Sequence, residues 1–494
     1  MLTVFLIMLY GILFAIAVYN LVNFYKKKKV IDAGICFQVA FIIYYILIPI
    51  LSLIIIELYP ENLTGMLFRI SQSKGFVYAY IFTFIAYFTF IFGYKVKFLK
   101  NAEQNGYNNL LKAEKEEITK EASDNLNEEA NMLKDKLYNE FNAKVYKIAL
   151  FMGIFCLALA LYSQTLIVGS LGNVLTLITL GDRLRAFGID NSRYIDQSRL
   201  FAITLMAISL ASPYFLFYAL RMKNKLSTKV LLIVSMISCV IYFAVNAGRI
   251  AVLVFGLTFF IGFVFRKTKH PILYICIVSI LSLSLLGTLN DLFYYLSYGI
   301  VRESSRGGLQ FIVNEFAFPY LNLLNIMEIN AIYGLRWGAD FVSWIINIVP
   351  SSILSIFGLS KVASSYHTVT EYYRLTVGTS GGIPTDILSL GIRQFGLMGL
   401  LLISLLLSKI CRFLDGIIAK VHSNNYYFIT LRISSIMFLI IPYGDIDSFV
   451  RNRFDMILVF LFALVVSRKT QKVEREWSKI YAGNREKNTI FRLF

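Results

Sequence analysis

The sequence predicts an all-α polytopic integral membrane protein, and three observations lead to that fold class. Of its 494 residues, 57% are apolar and only 16% are charged, and the mean hydropathy is +0.66. A soluble protein carries about 25% charged residues. Long apolar stretches recur along the whole chain, each sufficient to cross a hydrocarbon core of ~30 Å. These properties exclude a cytosolic enzyme, a secreted domain, a disordered tail and a fibre.

Hydropathy predicts about 11 transmembrane helices. The first has no basic residue before it and is followed by four lysines at 26–29. A signal peptide carries its positive charge first, so we expect a retained helix with the N-terminus outside. Alternation of sides then places the C-terminus in the cytoplasm, where basic residues are expected. The predicted spans are 2–23, 31–56, 76–94, 147–167, 200–220, 230–247, 249–265, 271–289, 396–414, 427–443 and 454–467.

The predicted spans divide the chain into six parts. In the one long polar insertion, Glu140 and Lys144 have the i,i+4 spacing of a helical ion pair. We expect this insertion to be a solvated spacer or assembly handle rather than a catalytic part. The parts are 1–98 (transmembrane helices 1–3), 99–145 (cytoplasmic helical insertion), 146–289 (helices 4–8), 290–395 (large extracytoplasmic loop), 396–467 (helices 9–11) and 468–494 (basic cytoplasmic tail).

The basic residues are distributed unevenly between the two predicted sides. The formal charge of +18 fits the excess of Lys and Arg in cytoplasmic loops, so we expect no nucleic-acid partner. The outside segments hold 13 Arg and 2 Lys, whereas the inside holds 8 Arg and 25 Lys. Guanidinium binds phosphate bidentately and stacks on aromatic rings better than ammonium does. Ion pairs with outside carboxylates account for part of this bias, and the remainder indicates an anionic substrate on the outer face.

The large loop 290–395 has a composition typical of a functional segment. It contains eight Tyr and two of the three Trp. Its apolar piece 341–349, ended by Pro350, predicts a helix lying in the membrane interface, with Trp344 at headgroup depth. Guanidinium groups for phosphate, aromatic faces for sugars and apolar surface for a lipid tail suit an amphiphilic glycolipid. The loop arginines are Arg302, Arg306, Arg336, Arg374 and Arg393.

The predicted span interiors contain no Asp or Glu, although proton-coupled transporters normally place one there. Arg432 is the one strongly charged residue well inside a span, and we expect it to snorkel to the inner surface. A secondary transporter or pump is therefore disfavoured.

The densest motif is the Gly-rich segment 378–386, which predicts a shaped turn outside the membrane. Glycine there lets backbone approach a ligand or a neighbouring helix closely. Functional and structural roles are equally open for these residues. The turn is formed by Gly381, Gly382, Pro384 and Asp386.

The layout resembles the Wzy-type O-antigen and capsule oligosaccharide repeat-unit polymerases. The shared features are the number of spans, an early cytoplasmic insertion, a Gly248-Arg249 turn between two spans and a large Arg-bearing outer loop. The loop ends in a Phe-Gly-x-x-Gly motif at Phe395, Gly396 and Gly399, whose two glycines we interpret mainly as helix-packing residues. The Arg and Gly spacing found in some members is absent around Arg374.

This resemblance implies a location, a substrate and a reaction. The protein would lie in the bacterial inner (cytoplasmic) membrane and act at its outer face. Its substrate would be undecaprenyl-pyrophosphate-linked oligosaccharide, and the growing glycan would leave its pyrophosphate for the terminal sugar of a new unit. Implied partners are the polyprenyl-pyrophosphate-linked oligosaccharide, the lipid bilayer and a chain-length regulator. We expect no cofactor, metal or nucleotide, because preorganised guanidinium can stabilise a departing pyrophosphate.

The candidate site residues follow from that chemistry. The acceptor hydroxyl needs a general base, and His367 is the only histidine on the predicted outer side. On a helix, His367, Glu371 and Arg374 share one face. Glu315 and Asp386 are alternative bases. The candidate pyrophosphate ligands are Arg249, Arg302, Arg306 and Arg374.

Two other functions remain open on the sequence alone. An O-antigen ligase uses the same donor with a different acceptor, and the lone outer histidine slightly favours it. A flippase or exporter of the same glycolipid would need a polar path through the span centres, of which the sequence shows little.

Overall fold

The computed structural model describes residues 2–28, 31–95, 127–178, 202, 205–246, 252, 254–260, 288, 291–292, 295, 309–349, 351–377, 382–421, 427–446, 453, 455–469 and 472. Within these ranges the regular structure is entirely helical, and they contain no strand.

Four helices form the N-terminal part. They are α1 Leu2–Lys28, α2 Ala33–Leu58, α3 Gly65–Gln72 and α4 Phe76–Lys95. Asp32 caps α2 by accepting a 2.9 Å hydrogen bond from the N–H of Ile35. A π-helical turn at Ile43–Leu47 interrupts α2 just before Pro49, which cannot donate a backbone hydrogen bond.

The middle of the chain is built on a helix of 42 residues, α5 Asn127–Val168. It crosses the predicted boundary between the insertion and the fourth span without a break. The predicted pair is confirmed, since Lys144 Nζ lies 2.6 Å from Glu140 Oε1. Short 3₁₀ turns at Leu171–Thr176 and Met206–Leu210 accompany α6 Ser212–Met222 and α7 Leu226–Asn246.

Five helices lie within 309–377, the part of the predicted outer loop that the structure describes almost without a gap. They are α8 Leu309–Phe316, α9 Phe318–Tyr333, α10 Ala339–Ile348, α11 Ser351–Ile356 and α12 Ser365–Val377. The amphipathic α10 exposes Val342 and Ile345, as expected of an interfacial helix. In contrast, α9 is a core helix that packs against α3, α4 and α12. Its apolar residues are distributed around almost the whole circumference of the helix, and most of its length is buried.

The C-terminal part begins with α13 Ile387–Val421, followed by α14 Tyr427–Ile440 and a helix at 455–469, α15. Phe395 and Gly396 have non-helical backbone angles and divide α13 into two helices. Gly396 has φ +61, a conformation that glycine adopts without a Cβ clash. The predicted ninth span starts at residue 396, and the structure places the kink there.

Among the residues that the structure describes, six helices are long and apolar enough to cross a membrane: Leu2–Lys26, Ala33–Leu58, Phe76–Lys95, Asn139–Val168, Leu226–Val245 and Ile387–Ile418. They correspond to the predicted spans 2–23, 31–56, 76–94, 147–167, 230–247 and 396–414. Three further predicted spans contain the shorter helices α6, α14 and α15. The spans 249–265 and 271–289 lie largely outside the described residues, apart from helical residues 254–260. The class of helical membrane protein is therefore supported, and the count of eleven spans stays a prediction.

The prediction that Arg432 snorkels to the surface is wrong. Arg432 and Asp455 are 2% and 0% exposed and form an ion pair between α14 and α15. The Tyr214 ring of α6 lies 5.3 Å from the Arg432 guanidinium carbon. Asp455 lies at the start of the last predicted span. Because the two charges are buried as a pair, neither is left unpaired in an apolar interior.

Candidate functional site

Six of the predicted site residues lie on or beside α12 and the start of α13: His367, Glu371, Arg374, Gly382, Pro384 and Asp386. The other four, Arg249, Arg302, Arg306 and Gly381, fall outside the described residues. Their assigned roles remain predictions.

The predicted face of α12 is exposed in the structure. His367, Glu371 and Arg374 are all exposed, while Val369 and Tyr373 on the other side are buried. One helix face thus carries an imidazole, a carboxylate and a guanidinium at three- and four-residue spacing. This much of the predicted constellation is present.

The hydrogen bonding of His367 fixes its tautomer. Its Nδ1 accepts a 3.2 Å hydrogen bond from the N–H of Ser364, which precedes α12. A neutral imidazole with Nδ1 as acceptor carries its hydrogen on Nε2. In this tautomer Nε2 can donate a hydrogen bond but cannot accept a proton. Glu371 is therefore better suited than His367 to accept a proton on this face.

A buried polar cluster lies beneath this face and is centred on Asp340 of α10. Asp340 accepts hydrogen bonds from Arg336 Nε at 2.8 Å and from Gln394 Nε2 at 2.6 Å. The hydroxyl of Ser365, the first residue of α12, also donates to it. These contacts join α10, α12 and α13 through one carboxylate that is 2% exposed.

Arg393 is a third charged member of this cluster, beside Asp340 and Arg336, and its side chain is fully buried. Its guanidinium donates to Asn330 Oδ1 at 2.7 Å, to the carbonyl of Gly334 and to Thr368 Oγ1 at 3.4 Å. Its Nε has no hydrogen-bond partner, and none of the described carboxylates forms a salt bridge with it. A buried guanidinium held only by neutral groups keeps positive charge close behind α12.

The backbone just before the kink is held by the chain that precedes α10. The N–H groups of Arg336 and Trp337 donate to the carbonyls of Arg393 and Gln394 at 2.9 and 3.0 Å. Asn330 Nδ2 donates to the carbonyl of Ile392 at 3.2 Å. These bonds satisfy the carbonyls that a helix leaves open where it stops, so the kink costs little hydrogen bonding.

The predicted turn at Gly382, Pro384 and Asp386 has no regular secondary structure and is held by contacts with neighbouring helices. The Pro384 carbonyl accepts from Asn322 Nδ2 at 2.8 Å. A Cβ on Gly382 would lie 1.8 Å from the Tyr366 hydroxyl, so a larger residue here requires the Tyr366 side chain to move. The turn therefore shapes the structure next to α12.

Asp386 is the N-cap of α13 and is fully buried. Its Oδ1 accepts from the N–H groups of Leu388 and Ser389 at 3.1 Å and from the hydroxyl of Tyr45 in α2. Its Oδ2 has no hydrogen-bond partner. Burial raises the pKa of Asp386 above its usual value, although its hydrogen bonds act in the opposite direction. Such a buried carboxyl positions α13 and is not placed to contact a substrate.

Arg336 and Arg393 were predicted only as loop arginines, and the roles of Asp340 and Gln394 were not predicted. The four-residue spacing from Arg336 to Asp340 was a usable signal for their ion pair. No local signal indicates that Arg393 and Gln394 turn inwards, because that depends on the kink that follows them.

An apolar groove of about 200 Å³ opens beside the buried polar cluster, where the two halves of α13 diverge. Leu402 and Leu406, which are 54% and 49% exposed, continue it along the long half of α13. The groove is lined by Phe341, Gly391, Gln394, Phe395, Gly399, Leu402, Ile403 and Leu406.

Comparisons of the chain with protein-family models, with curated proteins and with solved structures found no match. Within the described ranges, no group of three or more His, Cys, Asp or Glu residues is placed to hold a metal ion.

Proposed function

We propose that this protein polymerises undecaprenyl-pyrophosphate-linked oligosaccharide repeat units into O-antigen or capsular polysaccharide at the outer face of the bacterial inner membrane. The observation that carries the proposal is the buried Arg393 guanidinium directly behind α12. Its described partners are neutral groups, so its charge is not cancelled by a salt bridge. A fixed positive charge of this kind favours an anionic substrate at the adjacent surface.

The exposed face of α12 supplies the groups that glycosyl transfer requires. The acceptor hydroxyl oxygen bonds to the anomeric carbon while the bond from that carbon to the pyrophosphate oxygen breaks. Glu371 accepts the hydroxyl proton, and the pyrophosphate leaves with its negative charge. Arg374 and Nε2–H of His367 stabilise that charge. The predicted ligands Arg249, Arg302 and Arg306 belong to the same proposal.

The first test is the surface glycan of cells that lack this protein, together with their lipid-linked intermediates. A polymerase is supported if long chains disappear and single repeat units remain. Long chains that accumulate on undecaprenyl pyrophosphate would instead establish the ligase alternative. Lipid-linked single units held on the inner leaflet would establish a flippase, and an unchanged glycan would refute all three functions.

The second test separates guanidinium chemistry from simple charge. Arg374→Lys keeps the charge and loses bidentate binding of phosphate, so we expect shorter glycan chains at unchanged protein abundance. Lys361→Ala is the matched control, because it removes another exposed charge just before α12. Unchanged chain length in Arg374→Lys together with shorter chains in Lys361→Ala would show that only the net charge of the surface matters.

A further inference from the structure

Trp337 has an unusual combination of backbone strain and exposure. Its φ is +51, the only positive φ of a non-glycine residue in the described parts of the chain. A bulky L residue rarely adopts this conformation, because its Cβ crowds the following carbonyl. The side chain is nevertheless 73% exposed, so burial gives little in return.

The neighbouring residues show what this loop normally requires. The two neighbouring positions with positive φ, +69 and +84, are both glycines, Gly334 and Gly338. The Trp337 N–H is bonded to the carbonyl of Gln394, so the strained conformation is imposed by the surrounding structure. A tryptophan in a conformation that glycine adopts without strain points to a role for the indole beyond packing.

The surroundings of the indole indicate the ligand. Its ring meets Phe395 edge-on, with the centroids 6.3 Å apart, at the kink that opens the apolar groove. Arg336 precedes it in the chain, and Arg393 is buried behind the same loop. The exposed aromatic face lies between two guanidinium groups, the buried Arg393 and the partly buried Arg336, and a groove that continues onto apolar helix surface. This arrangement suits an amphiphile with a ring-shaped polar head.

We propose that Trp337 stacks on a sugar ring of the lipid-linked oligosaccharide, next to the pyrophosphate. This inference rests on the proposed function. The simpler alternative is that Trp337 only anchors the loop at the membrane surface, as exposed Trp often does. Trp344 already meets that need in the neighbouring α10 with ordinary helical backbone, its indole N–H donating to the carbonyl of Phe341.

The structural part of the proposal is tested by replacing Trp337 and Trp344 separately, each with alanine and with glycine. Both replacements remove the indole, but only glycine relieves a positive φ. We expect Trp337→Gly to have a higher thermal unfolding midpoint than Trp337→Ala. At Trp344, inside a helix, we expect the opposite order. A Trp337→Ala midpoint equal to or above that of Trp337→Gly would overturn the strain argument.

The binding part is tested in nanodiscs with a variant that keeps Trp337 as its only tryptophan, through Trp344→Phe and Trp477→Phe. The probe is undecaprenyl pyrophosphate carrying one repeat unit, extracted from source cells that lack this protein. Undecaprenyl pyrophosphate without sugar is the control. We expect the sugar-bearing probe, and not the control, to change the fluorescence of Trp337. In the wild-type background, we expect Trp337→Ala to weaken binding roughly tenfold and Trp337→Phe to weaken it less.

The outcomes distinguish this inference from the proposed function. If the wild-type protein binds the probe and Trp337→Ala binds it equally well, the role of Trp337 is refuted and the proposed function stands. If the control lipid changes the fluorescence as much as the sugar-bearing probe, Trp337 is a lipid anchor. If the wild-type protein binds neither probe, both proposals fail.

Discussion

The contact between Gly391 and Gly399 should control whether the two halves of α13 can approach one another. A Cβ on Gly399 would lie 1.9 Å from the carbonyl oxygen of Gly391. A Cβ on Gly391 would lie 2.7 Å from the carbonyl oxygen of Gly399 and 2.8 Å from a methyl group of Ile403. Ordinary contacts begin near 3.4 Å. Because Gly399→Ala meets backbone on the other half, no side-chain rotation relieves the clash.

The magnitude follows from the size of these overlaps. Forcing an extra methyl group into a well-packed contact costs about 1–3 kcal/mol. We expect Gly399→Ala to reach or exceed the upper end and Gly391→Ala to cost less. Gly11→Ala in α1 is the matched control, since a Cβ there meets nothing within 4 Å. It should be neutral or slightly stabilising, because alanine favours helix more than glycine does.

The assay is the thermal unfolding midpoint of each purified variant in one detergent, with the expected order Gly399→Ala lowest, then Gly391→Ala, then wild type and Gly11→Ala. The midpoints serve as a ranking, because two-state unfolding is not assumed. If Gly399→Ala has the same unfolding midpoint as Gly11→Ala, then the two halves of α13 do not touch at Gly391 and Gly399. The groove and the position of Arg393 would then need a different explanation.

Three further predictions concern charged side chains. Asp455→Asn leaves Arg432 buried without its counter-charge and should destabilise the protein by about 3–5 kcal/mol. The double variant Arg432→Met with Asp455→Leu should recover much of that loss. Equal unfolding midpoints of the single and the double variant would contradict this prediction. Because burial raises the pKa of Asp386, the folded state binds that proton more readily than the unfolded state, and wild-type stability should fall as pH rises from about 4 through the raised pKa. Asp386→Asn keeps the N-cap and removes this pH dependence. Its unfolding midpoint should therefore rise relative to that of the wild type as pH increases. Parallel pH profiles of the two midpoints would refute the reasoning. Glu140→Gln removes one exposed ion pair and should change stability by less than about 0.5 kcal/mol, so a larger shift in midpoint would show that the pair does more than the structure indicates.

Local patterns in the sequence predicted much of the helical framework. Uninterrupted apolar runs identified the six long helices, because a span must bury or shield every residue over its length. The i,i+4 spacing identified the pair Glu140–Lys144, and helical periodicity placed His367, Glu371 and Arg374 on one exposed face. In each case the relevant residues are neighbours along one helix.

Contacts between distant parts of the chain could not be read in this way. Tyr45 and Asp386 are separated by 341 positions, and nothing near either residue indicates the other. The interpretation of Arg432 was wrong because its partner stands on the next helix, at a position assigned to the edge of a span. Helix α9 lies within the segment predicted as the outer loop. Its 16 residues are fewer than a span needs, yet its apolar surface is buried against its neighbours.

The buried contacts of α12 explain how an exposed face can be held in a fixed position. Ser365 donates to Asp340 at the first turn, and Thr368 accepts from Arg393 one turn later. Tyr373, near the end, donates its hydroxyl to the carbonyl of Leu321 in α9 at 3.0 Å. A site held from beneath along its length loses little entropy when it binds a substrate. Because two of these anchors meet α10 and the first half of α13, a shift at Gly399 should reach α12 as well. Gly399→Ala should therefore shorten the glycan chains even in cells grown cool enough for the variant to remain folded, and full-length chains under those conditions would show that α12 is held independently of the kink.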